Sequence, residues 1–123
     1  MKILFLYISS IIPILWGIAH LIPTKNVVAG FGDLSEDNHN IITMEWIVEG
    51  VSFILIGLLM ALVTFIDPFS AISNYVYLLL IAGLLSFAVL SFFTGFKINF
   101  LPFRMCPLVL ITSSVLAMVG VYL

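Results

Sequence analysis

Charge is what this chain has least of. Four basic and six acidic residues are spread over 123 positions, so only 8% of the side chains are charged. No basic stripe is present to neutralise phosphates, which excludes a nucleic-acid-binding surface. A single cysteine, Cys106, excludes an internal disulfide. With nothing in its sequence neighbourhood placed to favour a thiolate, it reads as a small buried apolar side chain. The HxxxH and CxxC spacings of metal sites are missing, and no metal or cofactor is expected. Gly30 and Gly32 are too few for a phosphate-cradling loop, which also needs a preceding strand and a Lys-Ser/Thr ending. No serine or cysteine has the context of an activated nucleophile.

Hydrocarbon fills the space that charge leaves. Hydrophobic residues make up 63% of the chain, and its mean hydropathy is +1.33. A water-soluble domain of this size cannot bury that much apolar surface, so the expected solvent is lipid. One domain over residues 1–123 is expected, an all-α four-helix transmembrane bundle. Its spans fall at about 3–22, 44–66, 74–94 and 105–123, with a long polar loop over 23–43 between the first two. Lys2 and Gly17-Ile18-Ala19 imitate a signal peptide. Pro13 and Trp16 lie awkwardly close to such a cleavage point, so the run reads as a retained first span that Pro13 should kink. Ser35 followed by Glu36 and Asp37 has the form of a helix start. Asp67-Pro68 ends the second span and is placed to open the next. Gly57 and Ala61, and then Ala82, Gly83 and Ser86, form small faces suited to helix packing or to a homo-oligomer. Lys25, Lys97 and Arg104 lie on one side of the membrane against Lys2 on the other, which predicts loops in and termini out.

The polar residues are gathered rather than scattered. His20 to Glu49 holds both histidines and five of the six acids. Glu45 and Glu49 sit where the second span should be entering lipid, where an ionisable residue costs about 2.5–3.5 kcal/mol on insertion scales. At 100° per residue Asn38, Glu45, Glu49 and Ser52 share one face, which should turn toward protein or a water-filled cavity. Two carboxylates four residues apart and poorly solvated resist being ionised together, as a proton donor or relay requires. Glu45, Glu49 and His20 are therefore the candidates for proton chemistry. The same residues with Asn38 and Trp46 are candidates for ligand binding. Two other readings stay open. Lys97 or Arg104 would pair with the carboxylates and hold the bundle closed, and Trp46 would be an interfacial anchor.

The run GIAHLIP (Gly17–Pro23), a polar stretch, MEWIVEG (Met44–Gly50) and four spans resemble the small DoxX-like bacterial membrane proteins. The likeness covers the whole chain in layout and is specific over residues 17–50. It implies a multi-pass protein of the bacterial inner membrane. The emopamil-binding sterol isomerases are similar in architecture, and that likeness implies an apolar ligand, a lipid or a quinone-like molecule, near Glu45 and Glu49. Members named for a quinol oxidase subunit imply a membrane protein partner instead.

Overall fold

A chain surrounded by hydrocarbon must pair its backbone N–H and C=O groups internally, and a helix does so within one segment. The computed structural model describes residues 1–123 and contains helices and turns but no strand. In chain order the helices are α1 (Lys2–Leu21), α2 (Thr24–Ala29), α3 (Glu36–Ile66), α4 (Ala71–Gly95) and α5 (Leu101–Tyr122). All except the six-residue α2 are long and apolar enough to cross a membrane.

Residues 23–43 are not the long loop that their polarity predicts. Thr24–Ala29 closes into α2 and α3 already begins at Glu36, so only residues 30–35 lie outside a helix between them. Polarity decides which solvent a segment prefers, not whether it can be helical. The start expected at Ser35 is present. Its backbone is extended and its side chain accepts from the Asn38 N–H at 3.3 Å, with Glu36 and Asp37 at the positive end of the helix dipole. Gly32, at φ +80°, supplies the left-handed residue of the connection. At the far end Asp67-Pro68 stops α3 but does not open α4. Ser70 does, accepting from the Ser73 N–H at 3.1 Å. The Asp67 side chain instead accepts from the Phe69 N–H at 3.2 Å.

α1 organises the bundle, packing on α3 along one side and α5 along the other, while α4 closes against α5. The closest approach of backbones is between α1 and α3. A Cβ on Gly17 would stand 2.5 Å from the Gly50 carbonyl oxygen, and one on Gly50 would stand 2.7 Å from Leu21. α3 and α4, neighbours in sequence, meet only along a thin seam. Phe53 and Phe87 touch edge to face there at 5.6 Å, and the Thr64 and Tyr77 hydroxyls are 2.9 Å apart. Leu6, Phe53, Met60, Tyr77, Leu84 and Leu110 form the core. Only 24 of 123 residues are buried, and Leu15, Leu55, Leu62, Leu79 and Leu90 are among those facing outward. Lipid solvates such a surface and water does not.

α1 passes through Pro13 without interruption. Proline lacks the N–H that would bond the carbonyl four residues back, which is that of Ser9. The Ser113 hydroxyl of α5 donates to this carbonyl at 2.7 Å. On α4 the face of Ala82, Gly83 and Ser86 is not internal, which leaves the oligomer or partner contact of the two uses expected for it. Ala82 and Ser86 are exposed, and a Cβ on Gly83 would meet nothing within 4 Å.

Candidate functional site

The depth of each acid follows from the length of α3. Its 31 residues extend roughly 46 Å at 1.5 Å per residue, against a hydrocarbon core of about 30 Å. Counted back from Ile66, the roughly 17–25 residues of a span begin between Ile42 and Gly50, so Glu45 and Glu49 both lie at the entry into lipid. Burial separates them: Glu45 and Asn38 are exposed, and Glu49 is half-buried against the bundle. The predicted stripe is thus divided by burial, and Glu49 is the one acid it delivers to the bundle.

Beside Glu49, α1, α3, α4 and α5 together line a cavity of about 260 Å³. α1 contributes Trp16 and His20, α3 Trp46 and Glu49, α4 Ser91 and Thr94, and α5 Phe103 and Cys106. His20 Nε2 is 3.6 Å from Glu49 Oε2, the only acid–base contact in the structure. The His20 side chain is 9% exposed and that of Glu49 41%, which places the carboxylate at the mouth and the imidazole within. Trp46 stacks on His20 with centroids 3.8 Å apart and planes 15° from parallel. Its indole N–H donates to the His20 carbonyl at 2.9 Å, one of the carbonyls that the end of a helix leaves without a partner. Trp46 therefore staples α1 to α3. A larger opening beside Leu21, Lys25, Asn26 and Thr43 is a surface depression with no unpaired buried side-chain atom.

Two buried polar side-chain atoms in the protein lack a hydrogen-bond partner, Trp16 Nε1 and His20 Nε2. Both belong to residues lining this cavity. A buried polar group left unpaired is costly and rare in native proteins, so their coincidence here marks a place fitted for something else to bond. Cys106 is buried as expected and its Sγ accepts from the Ser91 hydroxyl at 3.5 Å.

Of the residues the sequence nominates, His20, Trp46 and Glu49 meet at the cavity, whereas Glu45 and Asn38 do not reach it. The pairing of Lys97 or Arg104 with a carboxylate is absent, because neither makes a salt bridge. Arg104 instead donates to the Ile98 carbonyl at 3.3 Å and to Asn99 Oδ1 at 3.4 Å, holding its own connector. Glu36 and His39 stand at a three-residue ligand spacing, but both are exposed and no group of three metal-binding side chains gathers anywhere. Sequence reasoning missed Trp16, although it lies one turn before His20 and so shares its face. It also missed Ser91, Thr94 and Phe103, whose place depends on how α4 and α5 dock. No protein-family model, curated protein or solved structure matches the chain.

Proposed function

We propose that the chain is a DoxX-like protein of the bacterial inner membrane that holds an apolar small molecule in the cavity between His20, Trp46 and Glu49. The ligand is of the lipid or quinone-like kind, and no reaction is assigned. One observation carries this reading: the only two unpaired buried polar side-chain atoms, Trp16 Nε1 and His20 Nε2, belong to the walls of one aromatic cavity. A few placed polar groups in an apolar enclosure are the usual anatomy of a ligand site. Native mass spectrometry from gentle detergent tests it. A lipid-sized adduct should accompany the wild type and be lost from Glu49→Gln. Bare protein in both would remove the reading. The outward small face at Gly83 supports a membrane partner or a second copy beside this role.

The contact of His20 Nε2 with Glu49 Oε2 favours a second reading, proton transfer in an isomerase-like enzyme or a proton-coupled carrier. A carboxylate and an imidazole meeting at a cavity wall can pass a proton to and from a bound molecule. Glu45 has no part in it, so Glu45→Gln should leave turnover or transport intact while Glu49→Gln abolishes it.

A further inference from the structure

The charge balance of the cavity bears on what it takes. No lysine or arginine lines it, and its one acidic side chain is that of Glu49. The single basic neighbour, His20, stands 3.6 Å away and leaves that carboxylate without a full ion pair. An anionic head would meet Glu49 with nothing to offset it, and a purely neutral molecule would leave the carboxylate unanswered in a poorly solvated place.

The rest of the lining points the same way. Trp16, Trp46, Phe100 and Phe103 all face this space. Trp46 and Phe103 lie 5.6 Å apart at 57°, and Phe100 and Phe103 lie 5.7 Å apart at 59°. Rings tilted in this way do not cover each other completely. Aromatic faces carry negative quadrupole density, and rings lining a cavity beside a carboxyl group suit an ammonium group, although one face of Trp46 is already covered by His20. The Trp16 N–H, with only the weakly accepting Cys106 sulfur beside it, adds a donor that an oxygen on the same molecule would satisfy better.

We infer that the cavity binds a small organic cation, an alkylammonium bearing an oxygen acceptor, with its charge held between Glu49 and the aromatic rings. This rests on the reading of the cavity as a ligand site and gives the ligand a charged head in place of a wholly apolar one. Both tryptophans of the chain, Trp16 and Trp46, line the cavity, so intrinsic fluorescence reports its occupancy without a label.

The test titrates the full chain in nanodiscs of uncharged lipid with benzyltrimethylammonium and with neopentylbenzene, its neutral carbon isostere. The cation should quench saturably and more tightly than the isostere. Glu49→Gln should weaken the cation at least about tenfold with little effect on the isostere. Glu45→Gln, which removes the same charge outside the cavity, should change neither. If the isostere binds as tightly as the cation, or Glu49→Gln weakens both alike, the cation inference is overturned and an apolar-ligand site remains. Should neither probe quench saturably, both the inference and the ligand-binding reading fall. The wild-type comparison of the two probes decides the question even if Glu49→Gln does not fold.

Discussion

At Pro13 the chain gives up a backbone donor in the middle of a membrane helix, and the cost reappears on another helix. The Ser9 carbonyl, left without its intrahelical partner, is bonded by the Ser113 hydroxyl at 2.7 Å. Ser113→Ala should therefore lower stability by about 1 kcal/mol, in the range measured for hydrogen bonds between membrane helices. The effect should depend on Pro13. In a Pro13→Ala background residue 13 regains its N–H and Ser9 an internal partner, so the loss from Ser113→Ala should shrink. A double-mutant cycle of unfolding in mixed micelles reads the coupling, and equal losses in both backgrounds would break the link. Pairings of this kind are hidden from sequence, because the proline and the serine that answers it are separated by most of the chain. The fate of Glu45 was hidden for a related reason. Periodicity puts it on the face of Glu49, but on α3 the cavity takes in only Trp46 and Glu49, and that limit depends on where α1, α4 and α5 dock.

For whole elements, the glycines separate packing from exposure. Gly17→Ala sets a Cβ against the Gly50 backbone and Ile54 and should cost about 1–3 kcal/mol, as overpacking does. The strain falls within one turn of the His20–Trp46 stack, so tryptophan fluorescence should shift along with the melting temperature. Gly83→Ala meets open space and should stay within about 0.5 kcal/mol. A large loss there would mean that the outward face of α4 is covered in the membrane. The four spans were legible because twenty-residue apolar runs have almost no other fate in a membrane. The cap at Ser35 was legible because a serine followed by two acids satisfies specific backbone donors. What misled was reading polarity as absence of helix: Thr24–Ala29 and the first turns of α3 are polar and helical at once. The neighbours of the small faces were not legible either, since a run of small residues looks the same against a helix as against lipid.

For the molecule as a whole, four crossings place both termini on one side and the cavity near the other. That other side carries Lys25, Lys97 and Arg104, while Lys2 is the only basic side chain by the termini. Short loops rich in lysine and arginine stay in the cytoplasm, so the cavity should open toward the cytoplasmic face and both ends of the chain should be outside. Single cysteines at Asp33 and at Leu123, each in a Cys106→Ala background, report this with a membrane-impermeant maleimide on intact cells. Leu123→Cys should label directly, and Asp33→Cys only after permeabilisation. The converse pattern would turn the cavity outward. The outcome bears on the site as well as on topology. The inside-negative membrane potential draws cations toward the cytoplasmic side, at about 2.3 kcal/mol per charge for each 100 mV. With the cavity at that end, a cationic ligand would be concentrated beside Glu49. With the cavity outside, Glu49 and the aromatic rings would have to hold the cation against the same field.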